Sequence, residues 1–450
     1  MRSIICILLA GTFAACNKYL DMNPNPTQTA PNTVQGMREL MDNNLITENC
    51  TPGLGHLGSD DYIMSYDTWL NAETTVKNAY VWQKDIYGDE TVLSWSAPYK
   101  VVYYCNVVLE RLPGVPRPDS ATRTEYNAVM GTALFTRSYQ FYTLEETFGQ
   151  IYRPGTAANA TGIVLKLTSN PHDQPTRSTV QKVFTQILAD AKRSIPLLPD
   201  EVQFTHRNRP CKPAAYALLS RVYLTMQEYD SARIYADSCL QYYDKLVVYD
   251  TLNAKTARPF PPAGNDEVLY QCSAVSFLAQ YYFTSEVDTT LYNSYADNDL
   301  RKTIFFRTSP SGTGHYFRGQ YTGKVFLFSG VALDEVYLTR AECYARKGDI
   351  TAALLDLNTL LTRRWKTGTF QPYTATTASE ALTMVLAERR KETPFRETRW
   401  ADLRRLNQDS GTLRRIVGDS VYMLPPGNIR YAYPIPKEEI GVGGIEQNLR

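Results

Sequence analysis

The chain has 450 residues, with 47 Lys plus Arg against 46 Asp plus Glu and a formal net charge of +1. A balance this close gives no global field for nucleic acid or for an anionic membrane surface. The length is enough to bury a core without disulfide staples. The 32 tyrosines against 16 phenylalanines supply rings that keep one polar edge, which suits wet binding surfaces and helix packing alike.

The chain opens MRSIICILLAGTFAAC. Arg2 gives a positive start, and Ile4 to Ala15 is an apolar run too short for the roughly 20 residues that span a bilayer. It has the length of a signal-peptide core. Small residues just before Cys16 resemble a bacterial lipoprotein signal over 1–15, in which the Cys16 thiol is lipidated and becomes the new N-terminus. Phe13 stands where that signal prefers leucine, and an ordinary secretory signal with an incidental cysteine is the alternative. Two or more acyl chains anchor a soluble domain stably, so membrane attachment would need no spanning helix. Cys6 falls in the signal, and the remaining Cys50, Cys105, Cys211, Cys239, Cys272 and Cys343 form no CxxC. They read as small buried hydrophobes, with their pairing left open.

Residues 16–33 are rich in Asn, Pro and Thr and read as an extended tether. A single domain over 34–450 follows. Its helical periodicity is clearest over Ala97–Arg111, Glu125–Glu146, Thr179–Ile195, Lys212–Met226, Tyr229–Tyr243, Leu333–Arg346, Ile350–Trp365 and Ser379–Arg389. Helices thus occupy about 97–243 and 333–406, and the Gly-, Pro-, Thr- and Tyr-rich stretch of about 244–330 reads as loops with short strands at Glu267–Gln271 and Lys324–Phe328. Two helical pairs share a template. Tyr216, Ser220, Tyr223 and Ala232 recur as Tyr337, Ala341, Tyr344 and Ala353, each offset by 121 (337 − 216). A small residue, an aromatic three later and an alanine on the next helix describe a tetratricopeptide (TPR) hairpin. The pairs are not in tandem, so further hairpins are expected between them, with Ala97–Arg111 and Glu125–Glu146 a candidate.

Searches for catalytic chemistry return little. His56, His172, His206 and His315 stand far apart and form no HExxH, and there is no GxSxG elbow. FRGQYTGKV fails as a phosphate loop, because Arg318 replaces its first glycine and Val325 its Ser or Thr. Asp297 and Asp299 precede Leu300 without an EF-hand loop, which suits helix capping better than calcium. No cofactor and no metal are expected. A glycosidase needs only two carboxylates at the right separation, which sequence neither supports nor excludes.

The densest charged stretch is ERRKETPFRETRWADLRRL, residues 388–406. Acids alternate with bases, so a phosphate backbone would meet repulsion as well as attraction. The stretch reads as an ion-pair and packing joint anchored by Phe395 and Trp400.

This stretch also resembles the C-terminal signature of the SusD/RagB family, roughly E-R-R-x-E-x-x-F-E-G-x-R-W-x-D-L-x-R. Glu388, Arg389, Arg390, Glu392, Phe395, Arg399, Trp400, Asp402, Leu403 and Arg405 match. Arg396 and Glu397 stand where the family prefers Glu-Gly, and Ala401 where it prefers an aromatic. CNKYLDMNP, PTRSTVQKVFTQILADAKRSIPLLP and YPIPKEEIGVGGIEQN look like the same family, although Gly443 and Gly444 replace its usual asparagine. The resemblance implies a mostly α protein: a TPR-like helical-hairpin scaffold with an irregular, loop-rich ligand region and a few short strands. It implies a cell-surface outer-membrane lipoprotein of Bacteroidota, a lid over a SusC-like TonB-dependent transporter, and a nutrient binder rather than a catalyst, with glycans the commonest ligands. A surface-attached glycoside hydrolase and a peptide-capturing family member are the alternatives.

Sugar rings stack on aromatics while carboxylates and amides hold their hydroxyls. GSDDYIMSYDTWLNAE, residues 58–73, offers Asp61, Tyr62, Tyr66, Trp69 and Asn71 in a loop-like setting. The middle region offers Tyr281, Tyr282, Tyr292 and Tyr316. Trp82, Trp95 and Trp400 read as scaffold.

Overall fold

The computed structural model describes residues 31–450 except 118, 263–264, 278–284, 311, 313, 407–410 and 442. The expected signal peptide, Cys16 and most of the tether lie outside the described residues, as do Tyr281 and Tyr282.

Short helices come first: α1 (Val34–Met41), α2 (Leu54–Gly58), α3 (Tyr66–Leu70) and α4 (Thr74–Tyr80). The scaffold follows with α5 (Leu93–Arg111), α6 (Ser120–Phe148), α7 (Val180–Ser194), α8 (Lys212–Thr225) and α9 (Tyr229–Tyr242). Two small helices, α10 (Thr289–Asn293) and α11 (Arg301–Phe305), sit in the middle region. Then come α12 (Leu333–Lys347), α13 (Ile350–Thr362), α14 (Ala378–Glu392), α15 (Thr398–Arg405) and α16 (Lys437–Gly441). Local chemistry accounts for their ends. Asp119 and Thr179 accept from the N–H groups of Thr122 and Lys182 to cap α6 and α7. Thr377 and Glu380 close a reciprocal capping box on α14. Gly348, at φ 89°, ends α12 in the left-handed conformation that glycine adopts without strain. Helix α5 starts a turn before the expected Ala97, because Trp95 and Ser96 donate to the Val92 carbonyl ahead of Pro98.

The helices pack in chain order: α5 on α6, α6 on α7, α7 on α8 and α8 on α9. The template positions explain the close approach, since Ser220, Ala232, Ala341 and Ala353 are all buried. Tyr223 stacks on Tyr235 at 5.4 Å to fill the groove. Contrary to expectation, no further hairpin separates the two template units among the described residues. Helix α12 packs directly on α9 and α8, so the intervening residues loop out and return to the same edge.

Strands pair two by two and antiparallel. They are β1 (Tyr62–Ile63) with β5 (Glu286–Val287), β2 (Thr161–Val164) with β3 (Arg177–Thr179), β4 (Val268–Tyr270) with β8 (Val331–Ala332), β6 (Phe306–Thr308) with β7 (His315–Phe317), and β9 (Leu413–Val417) with β10 (Ser420–Leu424). The strand expected at Glu267–Gln271 is β4. The one expected at Lys324–Phe328 is a bend, with Phe328 alone bridging to Ser273. Gly323, at φ 64°, packs against the backbone of Pro261 and Pro262 and turns the chain there.

One buried acid gives the scaffold a pH response. Glu145 on α6 is wholly buried and accepts from the Ile163 N–H at 3.0 Å. Burial pushes its carboxyl up to about 8 from 4.5, against the pull of the Arg404 guanidinium. The unfolded chain releases this proton near pH 4.5 and the folded chain only near 8, so the group's contribution to stability is lost as pH rises between them. The urea midpoint of the wild type should fall relative to that of Glu145→Gln between pH 5 and pH 8.5. Parallel curves would show the carboxylate already ionised in the fold.

Candidate ligand-binding face

The charged stretch 388–406 builds the support. Between α14 and α15 the chain turns sharply, with Phe395 at φ 59° and Glu397 at φ 60°. Both are left-handed conformations that cost a non-glycine residue free energy. The turn brings the Phe395 ring onto Phe317 of β7 (4.5 Å between centroids, 3° between planes) and within 5.0 Å of His56 on α2. Trp400 is buried against Tyr431 and Tyr433.

From this joint, arginines reach the segment 58–73. Arg399 clamps Asp60 through two bonds of 2.7 and 2.8 Å, a bidentate geometry that fixes direction as well as distance. Arg390 pairs with Asp61 and donates to the Asp60 carbonyl at 2.8 Å, while the Phe395 N–H donates to Asp61 at 2.9 Å. The two guanidinium groups outweigh desolvation and hold the Asp60 carboxyl far below the usual carboxylate range. Arg415 of β9 lies over the Tyr80 ring at 3.7 Å and donates to the Leu57 carbonyl at 3.1 Å and to the carbonyls of Ser59 and Tyr80.

Beneath lies a buried charge network. Arg301 meets Asp299, Glu388 and Glu392. Arg364 bridges Glu392 at 2.6 Å and Glu267 at 2.8 Å, and Arg396 takes Asp334. Asp299, expected to cap a helix, accepts from the Arg301 N–H at the start of α11 at 3.2 Å and also holds the Arg301 guanidinium through two bonds. Glu267, Asp334 and Glu392 lie close enough to hold a cation, but Arg364 and Arg396 already supply the positive charge their convergence requires.

The expected ligand residues divide accordingly. Asp61 and Tyr62 are buried, Asp61 on its arginine and Tyr62 with its hydroxyl donating to the Leu57 carbonyl at 3.1 Å. Both leave the candidate face, because neither has a surface to offer. The expected loop is also partly helical. Ser65 caps α3 by accepting from the Thr68 N–H, and Asn71 ends it, its side chain donating to the Asp67 carbonyl at 2.9 Å. Along α3, Tyr66 is 50% exposed and its ring lies 6.3 Å from that of part-buried Trp69. The Trp69 indole N–H donates to the Lys77 carbonyl at 3.0 Å, fixing the ring's angle. Tyr66 rests on Gly418, the turn of the β9–β10 hairpin, where a Cβ would stand 3.1 Å from the ring.

The structure also joins the two regions that the sequence offered separately. Strand β1 pairs with β5, with Tyr62 opposite Val287 and Ile63 opposite Glu286, and β5 lies against β7. Tyr292 and Tyr316 are part-buried near this junction, and Tyr292 stacks on His315 at 3.6 Å. Burial lowers the His315 pKa, which favours the neutral ring. His315 and Glu286 were not singled out from sequence. The adjacency of His315 to Tyr316 was the available signal for the first, and nothing local marked the second.

A wide groove lies elsewhere. It spans about 1450 Å³ between Trp95, Tyr99 and Lys100 of α5, the loop at 171–175 and Glu438 and Glu439 of α16. Its salt bridge between Lys166 and Asp173 (3.6 Å) and its mixed charges suit it less well to stacking a sugar ring than the open platform of α3.

Comparison with known proteins bears on this geometry. Residues 18–224 match a family model described as starch-binding, associating with outer membrane, and residues 333–449 match the SusD family model. No curated protein matches. Among solved structures, a SusD superfamily protein from Bacteroides thetaiotaomicron superposes with a TM-score of 0.74 at 22% identity, covering 93% of this chain and 100% of that one. A SusD-like carbohydrate binding protein from Bacteroides vulgatus gives 0.69 at 18% identity, covering 92% and 97%. A second SusD-like carbohydrate binding protein, from Bacteroides fragilis, gives 0.66 at 16% identity, covering 91% and 98%.

Proposed function

The chain belongs to the SusD/RagB family, and from that premise we propose that it is a surface lipoprotein that captures a glycan and passes it to a SusC-like TonB-dependent transporter. The observation that carries the glycan reading is the α3 platform: an exposed Tyr66 beside a Trp69 whose indole N–H is spent internally, so that a ring face is what remains to offer. Such faces stack on the C–H faces of sugars, while Asn71, Asp67 and Glu73 around them are exposed and polar. Tyr292, Tyr316 and His315 form a second aromatic group near the β1–β5 pair, with Tyr292 stacked on His315. Trp69→Ala should weaken binding of the glycan by about ten-fold or more, since stacking contributes on the order of 1–3 kcal/mol. Its melting temperature should fall only modestly, since the part-buried ring gives up some packing and its bond to the Lys77 carbonyl but empties no fully buried site. A large thermal loss with intact affinity would make Trp69 a core residue.

The reading is of a binder rather than a hydrolase. A glycosidase acid needs a raised carboxyl beside the sugar. Glu145 and Glu267 are raised by burial to about 8 and about 7 but lie inside the scaffold. Glu397, raised by burial to about 8, packs on α2, and Glu439, also raised by burial, lines the separate groove beside α5 rather than the α3 platform.

Attachment is read from Cys16. No helix among the described residues is long and apolar enough to cross a membrane. Cys16→Ala should move the protein from the membrane fraction to the soluble fraction and abolish palmitate labelling. A variant that stays membrane-bound and labelled would overturn the lipid site.

A further inference from the structure

We propose that Cys50 and Cys272 form a disulfide that ties the anchored end of the chain to the middle region. Their sulfurs stand 3.0 Å apart, and both residues are wholly buried. A disulfide spans about 2.05 Å, so roughly one ångström of travel separates this pair from a bond. The backbone already holds the two segments in register. Cys50 donates to the Ser273 carbonyl at 3.0 Å, Ser273 to that of Thr47 at 2.9 Å, and Val275 to that of Thr51 at 2.9 Å. Thr51 and Ala274 form a parallel bridge. The remaining cysteines, Cys105, Cys211, Cys239 and Cys343, are buried without a cysteine sulfur at comparable distance among the described residues.

The position gives the bond a task. Cys50 lies just ahead of α2 and the segment 58–73, on the side of the chain that leads back to Cys16. A bond here would carry tension from the anchor into β4 and the scaffold before it reached the α3 platform. The cellular part of this inference rests on the proposed export, because disulfides persist in oxidising compartments.

The reaction consumes a thiol–disulfide oxidant. One cysteine thiolate attacks the oxidant's S–S bond and releases one reduced thiol. The second thiolate then attacks the mixed disulfide and releases the other. The pair loses two electrons and two protons, and the oxidant is reduced to two thiols. In the folded chain burial raises the Cys50 thiol well above its usual range. The step therefore belongs to folding, while the thiols are still exposed and titrate near 8.5.

The test refolds the denatured, reduced full chain in a buffer of oxidised and reduced glutathione. Free thiols are then alkylated under denaturing conditions, and the unreduced digest is mapped by mass spectrometry. The expected result is one cross-linked species joining the Cys50 and Cys272 peptides, two hydrogens lighter than their sum, with the other six cysteines of the full chain alkylated. The oxidised chain should melt roughly 5 °C above the reduced one, as the closure of a loop of this length implies, the two cysteines being 222 residues apart. The double variant Cys50→Ala, Cys272→Ala should lose that response to reductant. Alkylation of both cysteines after oxidative refolding, or a bond from either one to another partner, would overturn the proposal. The same map on chain taken from cells separates the two readings. A reduced chain in the cytoplasm, beside a cross-linked refolded chain, removes the export reading and leaves the pairing in place.

Discussion

Arg364→Met should destabilise the protein by about 3–5 kcal/mol, the usual cost of removing one partner from a buried ion pair. The Arg364 side chain is wholly buried. It donates to Glu392 at 2.6 Å, to Glu267 at 2.8 Å and to the Val247 carbonyl at 3.0 Å, with the Tyr249 ring 4.2 Å from its guanidinium. Methionine fills much of the same space but supplies no charge. Glu267 and Glu392 would then face Asp334 with less compensation, each of the three offering an oxygen within 4.8 Å of the others. Glu267 already sits at about 7, raised by burial against the pull of Arg364, so it would take up a proton before its neighbours. The second change Glu267→Gln should accordingly recover part of the loss. Urea denaturation of both variants reads this directly. A loss under 1 kcal/mol for Arg364→Met, the range of an exposed pair, would mean that water reaches the network.

Trp400→Ala should cost about 3–5 kcal/mol by emptying a buried aromatic site. The indole fills a slot made by two glycines. A Cβ on Gly55 would stand 3.0 Å from the Trp400 Cβ, and one on Gly58 would stand 2.8 Å from the indole ring and 2.4 Å from the Tyr433 hydroxyl. That slot leaves little freedom to collapse, which places the cost towards the upper part of the range. Ligand affinity per folded molecule should barely change, because Trp400 lies behind the segment 58–73. A stable variant with lost binding would instead assign this cluster to the site.

The scaffold was largely legible because its signals are local. Periodicity and the small-aromatic-alanine template placed α5 to α9 and α12 to α14, most of them within about a turn of their observed ends, with α6 starting five residues before the expected Glu125. The arginine stretch was legible as a structural joint from its alternating charges and its two aromatics. Its partners were not, since Arg301, Arg364, Glu267 and Asp334 come from distant parts of the chain and meet only in the fold. The candidate face was half legible. Composition marked 58–73 as a candidate binding segment, yet Tyr62 and Tyr66 are equally good sugar contacts on paper. What separates them is a two-residue strand: pairing β1 with β5 turns Tyr62 inward and Ile63 outward. A strand that short, with a partner more than two hundred residues away, leaves no periodic trace in the sequence. Helix α3 was missed for a similar reason, being five residues long and started by the single cap Ser65.

The central claim is that this chain holds glycans on an aromatic face and does not cut them. The most direct measurement is a binding array of polysaccharides, oligosaccharides and peptides, with reducing-sugar release recorded on every glycan that binds. The account predicts retention of at least one glycan, loss of that retention in Trp69→Ala, no retention of peptides and no release of reducing ends. Release of reducing ends by the wild type, or capture of peptides with no glycan bound, would contradict it.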